Sequence, residues 1–336
     1  LNATTQWKLG RTSMGVEFRN EGVRSNVLGK PMKEPQDVPF EKEGQYLKSD
    51  NRSNISYFLE HNVLLRRFTL SVGVLANYNS ALNEGIHFYP GIDASYRIGD
   101  NFRLYGSWNR ALRMPTFTDL YYEGKTNKGN PDLKPEESEA FEVGLKYNTY
   151  FLRAHIAGFY RKGKNMIDWV KEKPEDIWES QNLTKVDNLG FETNLSLLPR
   201  ELGNERFFIR KIELGYAFIH QDKDSEGYIS NYALDYLKHK FTAQLSHSIW
   251  KGFSATWYVR WQDRAGSYTK YENLKPAYEE PYAPYCLVDM KVNWEYQRLN
   301  LYAELNNLLN STYYDLGNIP QPGIWFKAGF RYSFKY

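Results

Sequence analysis

Tyrosine is the residue whose chemistry and placement stand out first. Tyr121, Tyr122, Tyr228, Tyr232, Tyr268, Tyr271, Tyr278, Tyr282, Tyr313 and Tyr314 fall in segments rich in Gly, Pro, Asn and charge, the marks of loops. Ring faces beside phenol hydroxyls suit a bulky ligand that has both apolar edges and amides. A second candidate is ionic. Arg113 precedes the stretch GNPDLKPEES, Gly129 to Ser138, and Glu136 or Glu137 at its far end can meet the guanidinium across the loop's base. An ion pair at such a rim is expected to add little to stability.

Enzymatic chemistry has no comparable foothold. The sequence holds no Gly-rich phosphate loop, no HExxH and no GxSxG. The 6 histidines, His61, His87, His155, His220, His239 and His247, are scattered without zinc-ligand spacing. Asp222-Lys223-Asp224-Ser225-Glu226-Gly227 begins like a calcium loop but lacks the later Glu, so it reads as a solvated hairpin tip. No cofactor or metal is called for. The single cysteine, Cys286, cannot form an internal disulfide and reads as a small hydrophobe in the apolar phase of a strand. A net charge of +3, without a block of like charges, offers no nucleic-acid surface.

Chemistry in loops needs elements to hold them, and the elements are strands. Apolar and polar residues alternate along the whole chain. Phe141, Val143, Leu145 and Tyr147 oppose Glu142, Gly144 and Lys146; Leu299, Leu301, Ala303 and Leu305 oppose Asn300, Tyr302, Glu304 and Asn306. About fifteen strands are expected, at 3–9, 13–20, 54–63, 68–79, 87–97, 102–111, 138–148, 151–162, 186–198, 208–220, 238–248, 253–263, 285–294, 299–307 and 323–335. Tight turns, such as Ile98 to Asn101 and Thr149-Tyr150, take turns with long loops at 21–53, 112–137, 163–185, 221–237, 264–284 and 308–322. Short connections on one side and long ones on the other are the asymmetry of an outer-membrane barrel.

Composition agrees. With 27 Tyr, 19 Phe and 9 Trp the chain is aromatic enough to furnish interfacial girdles, yet it is polar overall. A spanning helix would need about eighteen consecutive apolar residues, and none occur, but barrel strands hide their apolar residues at every second position. A propeller would impose a repeat of roughly 40 to 50 residues, which is absent. A soluble sandwich would not need strands this long with Gly, Ser, Asn and charge filling one face.

Two segments carry a family resemblance. Arg113, Pro115, Leu120 and Tyr121, then Gly129, Asn130, Pro131, Leu133, Pro135, Glu136 and Ser138, then Glu142 and Gly144, are similar in type and spacing to the most recognisable segment of TonB-dependent outer-membrane receptors. Val186 to Glu192, Leu237 to Phe241 and Leu305 to Tyr314 resemble further strand openings and the last hairpin of that family. At the C-terminus Lys327, Gly329, Tyr332, Phe334 and Tyr336 resemble the signal that such proteins present to the barrel-assembly machinery. Read without the family, the prolines end ladder pairing and stiffen the connection, while Gly129-Asn130 suits the positive φ of a sharp reversal. The stretch thus reads first as a device that pins loop geometry, with Tyr121 and Tyr122 as its ligand candidates.

The resemblance implies an all-β, 22-stranded transmembrane antiparallel barrel around an N-terminal plug. Residues 1–336 would be the C-terminal part of that barrel, the plug, its energy-coupling box and the first strands lying outside the chain. It implies a bacterial outer-membrane location and uptake of a bulky, scarce nutrient driven through TonB, not an enzyme. The ligand would be held by the extracellular loops, with Tyr121, Tyr122, Tyr228, Tyr268, Tyr271 and Tyr313 as site residues. The partners implied are outer-membrane lipid and lipopolysaccharide, the TonB complex through the missing plug, the assembly machinery, the nutrient and, as an option, a surface lipoprotein. The version of the motif here looks most like cobalamin receptors. A ferric siderophore ranks second, and haem lower because the loops hold almost no histidine. A barrel hydrolase or adhesin is the alternative of another class.

Overall fold

A computed structural model describes residues 1–82, 85–173, 175–203, 206–224, 227–230, 236–273 and 275–334. Eighteen strands share one sheet, and setting aside the short strands Lys30–Asp37, Asn127–Lys128 and Ile229–Ser230 leaves fifteen that follow one another as antiparallel neighbours in chain order. The first five are β1 (Asn2–Trp7), β2 (Gly10–Ser25), β3 (Gln45–Leu64), β4 (Phe68–Asn79) and β5 (Ile86–Ile98). The next five are β6 (Phe102–Arg113), β7 (Glu136–Asn148), β8 (Leu152–Lys171), β9 (Trp178–Leu197) and β10 (Ile209–Asp224). The last are β11 (Leu237–Trp250), β12 (Phe253–Arg264), β13 (Tyr285–Tyr296), β14 (Leu299–Asn306) and β15 (Trp325–Tyr332). Every expected strand is present. Among the described residues β1 pairs only with β2 and β15 only with β14, so the sheet has two free edges.

Register turns the alternation into a surface. Leu104 faces Leu145 and Leu145 faces Ile156; beyond Thr193, which faces Ile156, Leu195 faces Leu214, Leu214 faces Ala243 and Ala243 faces Val259, so the apolar phase of one strand meets that of the next. This face is exposed; Val143, in the middle of its strand, is 63% accessible. Near the short turns it ends in aromatic contacts, Phe102 with Tyr147, Tyr150 with Phe151 and Trp294 with Tyr296, which form one girdle. The opposite face is polar and half-buried. There the glycines let rings lie flat on the sheet: a Cβ at Gly144 would come within 2.5 Å of the Tyr105 ring, and one at Gly329 within 2.5 Å of the Tyr302 hydroxyl.

The structure corrects several expectations. The first concerns the long loops, which are largely built. Strands β8 and β9 continue past the expected ends, pairing through Lys164↔Lys185 to Val170↔Glu179, and β2 and β3 stay paired to Ser25↔Lys48. Ser267–Glu272 with Lys275–Pro281, and Tyr314–Leu316 with Ile319–Pro320, form hairpins inside segments read as loops. These extensions project beyond the apolar band, where neither face needs to be greasy; alternation therefore vanishes while backbone pairing persists.

Another correction is at the C-terminus, where β15 stops at Tyr332 instead of reaching 335. Ser333 still donates its amide to the Arg298 carbonyl, and Phe334 turns its ring edge onto Tyr332 at 4.9 Å. Tyr336 lies outside the described residues, as does Tyr232. The first turn also closes before the gap between the expected strands 3–9 and 13–20, with Trp7 already facing Gly10.

Candidate ligand-binding rim

The segment between β6 and β7 is a compact fastening. Its only helix, α1 (Phe117–Tyr121), starts at Thr116, whose hydroxyl accepts the Asp119 amide while the Asp119 carboxylate accepts from the Thr116 amide and hydroxyl. Gly129 then returns so close to this turn that a Cβ would lie 2.8 Å from the Tyr121 amide and 2.9 Å from the Asp119 carbonyl. Here again the structure corrects an expectation. Gly129 and Asn130 have no positive φ, and glycine is required by contact between two backbones. The Gly129 amide donates to the Tyr122 carbonyl at 2.6 Å, and the Asn130 amide to the Asp119 carbonyl at 2.9 Å.

At the loop's base Arg113 meets Glu136, by Nε to Oε2 and Nη2 to Oε1 at 2.5 Å each, and Glu137 falls instead to Arg110 at 3.7 Å. The pair is not the loose rim contact expected from sequence. Glu136 is only 7% exposed, and its Oε1 also accepts the Ile167 amide from β8 at 2.8 Å, so the carboxylate joins two hairpins. Pro115 and Leu133 are buried, Pro135 is half-buried and Pro131 is exposed. Asn182 of β9 completes the seam: its amide donates to the Lys134 and Asn165 carbonyls and accepts from the Lys134 amide.

A third hairpin is tied in by residues that sequence reasoning missed. Arg52 of β3 donates to the Pro115 carbonyl at 2.6 Å, pairs with Glu21 at 2.6 Å and lies 4.9 Å from the Phe117 ring centroid. Asp50 accepts from the Tyr121 hydroxyl at 2.5 Å. Burial and then this carboxylate push the Tyr121 phenol above its usual range. No sequence signal marks Arg52, Asp50 or Asn182, because each acts on a partner distant in the chain.

The tyrosines divide into fasteners and free surfaces. Tyr121 is a fastener. So is Tyr268, whose ring packs against Tyr282 at 5.1 Å and Tyr314 at 5.8 Å, and whose hydroxyl donates to Glu280 at 3.0 Å. Tyr313 packs at a tilt against Tyr285, ring centroids 4.6 Å apart. Tyr228 is half-exposed and borders a groove of about 290 Å³ with Val170 and Glu179. Tyr122, at 39% exposure and edge-on to Trp169, and Tyr271 and Tyr278, at 53% and 54%, offer ring surface to solvent. Asn318 holds the hairpin bearing Tyr271 and Tyr278 by donating to the Thr269 carbonyl at 2.7 Å.

The polar face below this rim holds a cleft of about 580 Å³ between β2, β3, β4, β5 and β6, and a second of about 630 Å³ nearer the short turns, bordered by Lys146, His155 and Arg260. Among the described residues no group of three metal-ligating side chains converges. Of the acidic hairpin tip, Asp222 lies 3.8 Å from Lys185, and Ser225 and Glu226 are outside the described residues.

Comparison with known proteins gives consistent results. The family model described as TonB dependent receptor-like, beta-barrel, matches residues 1–308. The vitamin B12 transporter BtuB of Vibrio vulnificus is 26% identical over 225 residues, covering 50% of this chain and 36% of that protein. The ferrienterobactin receptor of Escherichia coli is 22% identical over 297 residues, covering 80% of this chain and 38% of that one. Among solved structures, the ferric enterobactin receptor of Pseudomonas aeruginosa superposes with a TM-score of 0.74 at 19% identity, over 99% of this chain and 53% of its own. The chain thus spans about a third of the length of these curated relatives and about half of that solved receptor.

Proposed function

The chain belongs to the TonB-dependent receptor β-barrel family, a family of bacterial outer-membrane proteins, and on that premise we propose that it is the loop-bearing wall of a receptor for active uptake of cobalamin. The apolar band faces lipid, the long-loop end faces the exterior, and the short turns face the periplasm. The free edges support a larger barrel: unpaired strand edges in hydrocarbon cost several kcal/mol for each group left without a partner, so further strands must complete the wall. A plug and its TonB contact belong to that larger receptor. Lipopolysaccharide, the assembly machinery and a surface lipoprotein are its proposed partners.

The observation that carries the cargo reading is the set of free ring faces, Tyr122, Tyr271 and Tyr278, each on a loop fastened to its own neighbour, the hairpin of Tyr271 and Tyr278 by Asn318 and the base of the Tyr122 loop by the bond from the Ile167 amide to Glu136. Such faces suit a large, rigid ligand with apolar edges. Calorimetry on the full-length receptor in detergent should show nanomolar binding of cyanocobalamin, about −12 kcal/mol. Changing Tyr122, Tyr271 and Tyr278 together to Ala should weaken it by about 2 kcal/mol or more. A second reading, a ferric siderophore, is favoured by the ferric enterobactin receptors among the relatives and solved structures. No heat with cobalamin beside saturable siderophore binding would establish it instead.

A further inference from the structure

On the outward face of β6, β7 and β8 the register stacks rows of different chemistry. Leu104, Leu145 and Ile156 form an aliphatic row, and Gly106, Val143 and Gly158 the next one toward the long loops. Trp108, Phe141 and Tyr160 follow as an aromatic row, then Arg110, Glu139 and Lys162, then Leu112, Glu137 and Lys164. Successive rows are two residues, about 7 Å, apart along the strands. The aromatic row marks the limit of hydrocarbon, because its polar tips find carboxylates: Trp108 Nε1 donates to Glu139 Oε1 and the Tyr160 hydroxyl to Asp187 Oδ2, each at 2.8 Å. These strands stand in the middle of the wall with β5 paired on one side and β9 on the other, so neither a plug nor the strands that complete the barrel can cover their outward face.

The charge just above that limit is only partly matched. Arg110 lies 3.7 Å from Glu137, Glu139 is engaged by Trp108, and Asp187 pairs with Lys185 at 3.2 Å. Lys162 and Lys164 are exposed and face Glu139 and Glu137 in register, yet among the described residues neither ammonium has an ion pair or a hydrogen bond. With Arg110 they border a small recess of about 30 Å³, room for one water-sized group such as an oxygen of an anion. Below the aromatic row the surface is furrowed. Val143 is 63% exposed because glycines flank it on both strands. A Cβ at Gly106 would meet nothing nearer than 3.5 Å and one at Gly158 nothing nearer than 3.9 Å, so no close approach within the protein requires glycine at either place. Glycine inside a strand costs stability and often marks a position where a ligand comes close.

We propose that β6, β7 and β8 form a binding site for a phosphorylated glycolipid of the outer leaflet. Lys162 and Lys164, with Arg110 beside them, hold its phosphate; the aromatic row meets the junction of sugar and acyl chain; and the furrows on either side of Val143 take the chains. The site rests on the orientation proposed above, long loops outside, and gives lipopolysaccharide a defined place on the wall. Two features select a lipid over a free anion. The lysines are continuous with the lipid-facing band, which already delivers a lipid to them, and the furrows lie in line below them on the same three strands. Cations at this level are drawn to an anionic membrane surface wherever no carboxylate of their own neutralises them.

The test uses the full-length receptor in detergent, with lipid binding followed by native mass spectrometry. The probes are lipid A carrying its phosphates, the same lipid with the phosphates removed, and inorganic phosphate. Wild type should prefer the phosphorylated lipid. Lys162→Gln and Lys164→Gln should each weaken that lipid about fivefold, the effect of one cation at an anionic membrane surface, and the pair about twentyfold. Lys162→Arg with Lys164→Arg should restore binding, which separates loss of charge from loss of fold. Gly106→Leu with Gly158→Leu, which fills the furrows, should weaken both lipids alike. Equal binding of the two lipids by wild type, or a preference kept by the glutamine pair, overturns the site. Inorganic phosphate that competes as well as the lipid assigns the lysines to a free anion and overturns it too. The orientation is tested apart, by Glu272→Cys in the exposed long-loop hairpin of a receptor carrying Cys286→Ser: a membrane-impermeant maleimide added to whole cells should label it. Failure to label overturns the orientation and the site with it, whereas labelling without a lipid preference overturns the site alone and leaves the uptake reading in place.

Discussion

The lipid-facing wall and the long-loop rim are made of the same strands but held by different physics. On the wall, Leu104, Leu145 and Ile156 meet as cross-strand neighbours, and their order repeats the two-residue period of the chain. Any apolar residue of suitable size serves there. On the rim, Glu136 accepts from Arg113 and from the Ile167 amide, Arg52 reaches Pro115, and Asp50 reaches Tyr121. Each of those contacts needs one residue type at one place. Pattern specifies the wall, and individual hydrogen bonds specify the rim.

The wall should therefore fail by chemical class. Val143→Arg or Leu104→Arg places a charge on the lipid side, with an expected cost of about 2–4 kcal/mol near the bilayer midplane, against little for Arg at Ser107 or Gln244 on the polar side. Refolding of the full-length receptor into bilayers, followed by denaturant titration, measures the difference. A reversed order of costs would mean that the two sides of the sheet have been exchanged, and equal costs that neither side is set against lipid.

The rim should fail residue by residue. Arg113→Met would leave Glu136 buried with only the Ile167 amide as partner. The expected loss is about 2–3 kcal/mol in local stability, below the roughly 3–5 kcal/mol of a fully buried pair because half of the Arg113 side chain is in water. Hydrogen exchange at the amides of Ile167 and Gly129 would report it, with the wall strands unchanged. Arg113→Lys should recover only part, since a bidentate fork becomes a point charge. Gly129→Ala is the smaller rim defect, about 1–3 kcal/mol, because the new methyl must push apart the Tyr121 and Asp119 backbones. Faster proteolysis between Tyr121 and Gly129 would show it, and an unchanged cleavage rate would mean that the two backbones have room to part.

The same division explains what sequence could tell. All of the wall strands, the apolar phase and the short turns other than the first were legible, because lipid imposes alternation and a register slip would put polar residues into it. The extensions of β8 and β9 were not, since water accepts any side chain on either face and only backbone pairing continues. At the rim the Arg113–Glu136 pair was legible as an option, but its burial was not: that depends on Ile167 and Asn182, brought in by another hairpin. Tyr121 and Tyr268 read as ligand residues because phenols in loops invite it, and the structure turns both inward as fasteners.

The smallest expected effect lies farthest from the wall, in the hairpin Ser267–Glu272 and Lys275–Pro281. Lys270 lies 2.8 Å from Glu280, which also accepts from Tyr268. These two bonds, Lys270 first, hold the Glu280 carboxyl below its ordinary value of 4.5. A carboxyl whose folded pKa is depressed lends stability that is complete above the unfolded value and is lost as pH falls through the folded one. Opening of this hairpin should therefore be independent of pH well above the ordinary carboxyl value of 4.5 and increase as pH falls below it, whereas the seam around Gly129 also rests on backbone amide bonds, which do not titrate. The group is exposed, so the effect will be small and should shrink as salt screens the pair. Fluorine labels on Tyr271 and Tyr122, followed by NMR through an acid titration, would compare the two loops directly. Simultaneous release of both labels would show that the hairpin and the seam open as one unit, and the separation of the rim into independently fastened parts would have to be given up.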